Sequence, residues 1–148
     1  MLLRIKDIRI LKFDFETFPH PVVENGESIT VKIDFNFETS NITKLAEDKA
    51  KLTLKFICQM EAFCKYQIDL ESQVISKDID TVITNLSNKK MLPPEAMSAL
   101  INSHFYFVMP EIVLLAEKAK IPIPIPPLFN PEKKASNRLK SQQMVRKK

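Results

Sequence analysis

From Ser28 to Phe37 the chain alternates without a break. Ile29, Val31, Ile33, Phe35 and Phe37 are apolar, while Ser28, Thr30, Lys32, Asp34 and Asn36 are polar. A period of two places the two sets on opposite faces of an extended strand, a separation that a helix of 3.6 residues per turn does not make. Residues 50–60 repeat the pattern, with Ala50, Leu52, Leu54, Phe56, Cys58 and Met60 facing one way and Lys51, Thr53, Lys55 and Gln59 the other. Residues 64–71 do so again, Cys64, Tyr66, Ile68 and Leu70 standing against Lys65, Gln67, Asp69 and Glu71. These are three half-buried strands. The interruption near Glu61-Ala62 predicts a tight antiparallel hairpin between the last two.

Residues 2–15 are also β-like, but their apolar positions change phase. Leu3 and Ile5 share one parity, Ile8 and Ile10 take the other, and Phe13 and Phe15 return to the first. A bulged or bent strand restores all of them to one side. Residues 16–27, with Pro19, Pro21 and Gly26, read as a connecting loop that carries Phe18, Val22 and Val23. Apolar groups on such a loop either cap the edge of the core or line a binding surface. Residues 41–48 and 75–88 are ambiguous; Ile75, Ile79, Val82, Ile83 and Leu86 fit a short helix that Ser76 would cap.

The main helix is predicted to start at Pro93-Pro94, because a proline in the first turn loses no hydrogen bond. Met97, Ile101, Phe105, Val108, Ile112, Leu115 and Ala119 form one apolar stripe at helical spacing. Leu100, Tyr106, Phe107, Met109, Val113, Leu114 and Ala116 occupy the other sides, and Glu111 is the one charge between Phe105 and Ala116. A sheet covers one side of such a helix, so a second subunit is expected on the other, with Phe105, Tyr106, Phe107, Met109, Val113 and Leu114 as its interface. Pro110 is expected to kink or divide the helix. Alternating prolines in Ile121-Pro122-Ile123-Pro124-Ile125-Pro126-Pro127-Leu128-Phe129 then enforce an extended form. Asn130-Pro131 is a plausible start for a short basic helix that frays toward Lys148.

Composition excludes several function classes. Gly26 is the single glycine among 148 residues. Phosphate-binding loops, dinucleotide fingerprints and nucleophile elbows each need two or more glycines, so none is present. Cys58 and Cys64 have five residues between them, and His20 and His104 are far apart in sequence, so zinc-ligand spacing is missing and no metal or cofactor is expected. The thiols read as buried and inert, and His104 as a structural residue. No catalytic constellation stands out, and a binding protein is expected rather than an enzyme. The net charge of +4 is unevenly spread: residues 131–148 hold seven basic side chains against Glu132, a local +6, and residues 1–130 sum to −2. The basic tail is either a solvated terminus or a contact for nucleic acid, anionic lipid or an acidic protein. Two cysteines, an N-terminus without a signal-peptide pattern and the lack of a long apolar run lead to the expectation of a cytoplasmic protein without membrane insertion.

In order and in particular residues the chain resembles the SecB-like chaperones. Ile5-Lys6-Asp7-Ile8 looks like the start of that family's first strand, and Val31-Lys32-Ile33-Asp34-Phe35 like its second. Ala62-Phe63-Cys64-Lys65-Tyr66 falls where its fourth strand begins. Met109-Pro110-Glu111-Ile112, Ala119-Lys120-Ile121-Pro122 and Leu128-Phe129 resemble its helix and the loop that follows. In the fourth strand Leu70-Glu71-Ser72-Gln73 stands where the family is glycine-rich. The resemblance implies an α+β fold: a four-stranded antiparallel sheet covered by a long kinked C-terminal helix, assembled as a dimer of dimers. It divides the chain into a SecB-like domain, 1–130, and a basic C-terminal helix or tail, 131–148. It further implies an ATP-independent holdase for unfolded or precursor polypeptides, serving protein export or a toxin–antitoxin system. Its groove would be lined by Phe15, Phe18, Val22 and Val23 and by Ile121, Ile123, Ile125, Leu128 and Phe129. The rival expectation is a nucleic-acid-associated protein acting through the basic tail.

Overall fold

The structure is a computed structural model and describes residues 1–19, 28–124 and 142–147. Its strands are β1 (Arg4–Thr17), β2 (Ser28–Ala46), β3 (Lys49–Met60), β4 (Cys64–Ile75) and β5 (Gln142–Lys147), and its helices are α1 (Ile79–Ser87) and α2 (Pro94–Ala119). The strands form one sheet in the order β1-β4-β3-β2-β5, every neighbouring pair antiparallel. The expected α+β fold with a four-stranded antiparallel sheet and a long helix is present, extended by β5 beside β2. That fifth strand is a correction: residues 142–147 lie where a basic helix or tail was expected, and their backbone pairs from Ser28↔Lys147 to Ile33↔Gln142.

Alternation dictates the layers. Val31, Ile33, Phe35, Leu52, Leu54, Phe56, Ile68 and Leu70 are buried beneath the helix layer, and their polar neighbours form the other face. There Glu71 accepts from Arg9 on β1 at 2.9 Å and lies 3.7 Å from Lys51 on β3. The β3–β4 hairpin turns over Glu61, Ala62 and Phe63, with Ala62 at φ 66° and the Phe63 N–H donating to Met60 O at 3.0 Å. In β1 the phase changes become two register shifts, one between Lys6 and Arg9, where Asp7 has φ 53°, and one between Ile10 and Lys12. Leu11 falls at the second and is exposed, while Ile5, Ile8, Ile10, Phe13 and Phe15 all pack against the core.

Helix α2 crosses this face. By length and composition alone it qualifies to cross a membrane, yet it buries nine side chains in the protein's own core. Phe105 meets Phe35 and Phe56 edge-on, at ring-centroid distances of 5.5 and 5.8 Å. Pro110 does not divide the helix, which runs unbroken from Pro94 to Ala119. It stops at Lys120 (φ 56°): the Lys120 N–H donates to Glu117 O at 3.2 Å and the Ile121 N–H to Ala116 O at 3.1 Å. That is the Schellman arrangement, which sets the residue after the turn against the last helical turn. Accordingly Ile121 and Ala116 are both buried. α1 covers the β2–β3 end of the core with Ile79, Val82 and Leu86. Ser76 acts just before it, accepting from the Asp78 N–H at 3.0 Å.

Candidate functional site

Two segments singled out for their apolar residues, the chain after β1 and the proline-rich chain after α2, are drawn to the same end of the sheet. Tyr66 on β4 joins them. Its ring lies parallel to Phe15 of β1, with centroids 6.2 Å apart and an interplanar angle of 5°, and Phe13 packs beside both. Its hydroxyl donates to Pro124 O at 3.1 Å. Proline has no N–H, so this stretch cannot pair as a central strand, and its carbonyls need donors from elsewhere. The chain leaving β1 is tied to the same corner by the Phe18 N–H, which donates to Phe63 O in the β3–β4 hairpin at 2.8 Å. The arrangement is an aromatic cluster of Phe13, Phe15 and Tyr66, with the Phe18 backbone tied to the adjoining hairpin and Pro124, next to Ile123 in the chain, tied to Tyr66.

The predicted groove residues divide as follows. Phe15 and Phe18 are half-buried and Ile123 is 37% exposed, so all three retain surface. Ile121 does not: at 3% exposure it belongs to the core, held there by the helix stop, and is corrected from groove to core. Val22, Val23, Ile125, Leu128 and Phe129 lie outside the described residues. Phe13, half-buried on β1, was missed as a site residue, and Tyr66, 2% exposed and part of the core like Ile121, was missed as the residue that positions the proline segment. The signal that was available is the hydroxyl itself, since a buried tyrosine needs a partner for its O–H.

The predicted subunit-facing residues of α2 divide as well. Phe105 is 2% exposed and part of the protomer's own aromatic core, which corrects its assignment to an interface. Tyr106, Phe107 and Leu114 are 56%, 45% and 47% exposed, and Met109 and Val113 are half-buried. With exposed Pro110, they make a continuous apolar strip on the side of α2 away from the sheet.

Cys58, Cys64 and Tyr66, near the site, are held neutral by burial. Burial pushes the Cys58 thiol up to about 12 and the Cys64 thiol up to about 11, and raises Tyr66 well above the ordinary phenol range. At neutral pH these thiols are not nucleophiles. Buried His104 is pushed down to about 4 by burial, against an opposing hydrogen bond to Leu100 O. Its Nδ1 faces that carbonyl at 2.6 Å and its Nε2 faces Ser72 Oγ at 2.7 Å. A carbonyl only accepts, so Nδ1 carries the proton and the serine hydroxyl donates to Nε2. The Ser-His pair, with residues 1% and 0% exposed, is a structural bond between β4 and α2. Among the described residues no group of three or more His, Cys, Asp or Glu side chains is placed to hold a metal ion.

No protein-family profile and no curated protein matches the chain. Among solved structures it is similar to the SecB-like chaperone of Mycobacterium tuberculosis in complex with a ChAD peptide from an antitoxin. The TM-score is 0.54 at 9% identity, over 86% of this chain and 88% of that one. At that identity the likeness is one of fold.

Proposed function

We propose that this chain is an ATP-independent holdase that binds extended apolar stretches of unfolded polypeptides at the corner built by Phe13, Phe15, Phe18, Tyr66 and Ile123. The observation that carries the reading is the Tyr66–Pro124 hydrogen bond with Phe15 stacked beneath it, since it unites the two apolar segments in one surface. The SecB-like fold supports a polypeptide as ligand, and the antitoxin peptide bound by the Mycobacterium tuberculosis protein supports an extended segment as the form it takes. A partner antitoxin and a precursor for export are both clients of this kind. Each Leu- or Ile-sized client side chain buried contributes roughly 1.5–3 kcal/mol, and burial has no directional demand, so many sequences are accepted. The apolar strip of α2 supports assembly of two or more copies, which multiplies weak sites along one client.

The test is suppression of aggregation of an unfolded client at rising salt. Suppression is expected to survive salt and to fail in Ile123→Asp. Binding that collapses with salt, and with neutralisation of the basic side chains in 131–148, would instead favour nucleic acid as the ligand.

A further inference from the structure

Tyr66 holds the proline segment with its one hydroxyl proton. That proton goes to Pro124 O, so toward any other neighbour the phenol oxygen can only accept. A donor stands beside it. Cys58 lies directly opposite Tyr66 in the β3–β4 register, on the same apolar face, and its thiol shares a hydrogen bond with the Tyr66 side chain. The proton count fixes the direction of that bond: the thiol donates and the phenol oxygen accepts. Burial pushes the thiol up to about 12, so at neutral pH the donor proton is in place. Cys58 and Tyr66 are 1% and 2% exposed, and solvent does not compete for either group. In a chain of hydrogen bonds each link polarises the next, so donation from Cys58 makes the phenol a stronger donor to Pro124 O.

We infer that Cys58 is a positioning residue for the client-binding corner: acting through Tyr66, its thiol sets how firmly the segment that carries Ile123 is held at Pro124. The inference rests on the polypeptide-binding reading above and adds to it a residue that touches no client. It also separates two cysteines that look alike in the sequence. Cys64 is as deeply buried on the same face, but its thiol is shifted by burial alone.

The test compares full-length Cys58→Ala, Cys58→Ser and Cys64→Ala with the parent and with Tyr66→Phe. One readout is the NMR signal of the Ile123 amide; the other is affinity for a fluorescent, carboxymethylated unfolded polypeptide. Cys58→Ala removes the donor. It is expected to move the Ile123 signal in the direction that Tyr66→Phe moves it, and to weaken affinity about threefold, near the lower end of what one hydrogen bond contributes. Cys58→Ser supplies a hydroxyl donor and restores both values, whereas Cys64→Ala, which removes a thiol of the same size, leaves both as in the parent. In the Tyr66→Phe background Cys58→Ala has no further effect on either. An Ile123 signal that Cys58→Ala leaves in place, or that Cys64→Ala moves as far, overturns the inference, and so does a serine variant that behaves like the alanine one. A parent that binds no polypeptide overturns the holdase reading instead, and the Ile123 signal still decides the role of Cys58.

Discussion

Tyr66 does two jobs with one side chain. Its ring fills a core position in the apolar parity of β4, and its hydroxyl holds the proline segment through Pro124 O. Tyr66→Phe keeps the first and removes the second. The expected cost is about 1 kcal/mol in urea unfolding, together with weaker client binding because the segment that carries Ile123 is no longer held at Pro124. His104 makes a pH prediction. Its folded value, about 4, lies below the ordinary 6.5, so between the two the unfolded chain binds more protons. The stability from neutral His104 is therefore complete above pH 6.5 and is lost as pH falls toward 4, by up to about 3 kcal/mol at 1.36 kcal/mol per unit. Urea midpoints across that window are expected to fall with acidity, and in His104→Gln this part of the slope should vanish. At this scale the sequence is a good guide to burial and a poor one to partners. Parity places Tyr66 inside and the apolar helix around it does the same for His104, but the atoms they bond, Pro124 O and Ser72 Oγ, lie 58 and 32 residues away.

Among elements, those with long periodic patterns were readable and those fixed by pairing were not. Alternation gives β3, β4 and residues 28–37 of β2, whose continuation through the ambiguous 41–46 comes from pairing with β3, and the two parity changes in β1 anticipate both of its register shifts. The stripe from Met97 to Ala119 and the prolines at its start give α2. Pro110 leaves it whole because a buried apolar face secures the helix across the missing hydrogen bond. β5 was not legible: Gln142–Lys147 has no alternation of its own, and pairing with the outer edge of β2 makes it a strand. A prediction at this scale concerns the helix stop. Lys120 holds a left-handed conformation that glycine adopts without strain; among the described residues Asp7, Ala62 and Lys89 also have positive φ. Lys120→Gly is expected to stabilise the fold by about 1 kcal/mol, read as a higher urea midpoint at unchanged slope.

At the scale of the whole molecule, two apolar surfaces among the described residues have different proposed roles. The strip of α2 around Tyr106, Phe107 and Leu114 is regular and helical, suited to a second copy of the same helix; Leu114→Asp is expected to lower the mass seen in light scattering while the circular-dichroism spectrum is retained. An unchanged mass would remove α2 from the assembly. The corner at Phe15, Tyr66 and Ile123 is irregular and proline-bound, suited to chains of no fixed sequence. The most direct test of that claim places a photo-crosslinking side chain at Ile123 and, separately, at Leu45, which is 51% exposed and stands at the other end of β2. Each is irradiated with a permanently unfolded, carboxymethylated polypeptide at low and high salt. The expected result is adducts from position 123 at both salt concentrations and few from position 45; equal labelling at the two positions, or labelling at 123 that disappears in high salt, would contradict the account.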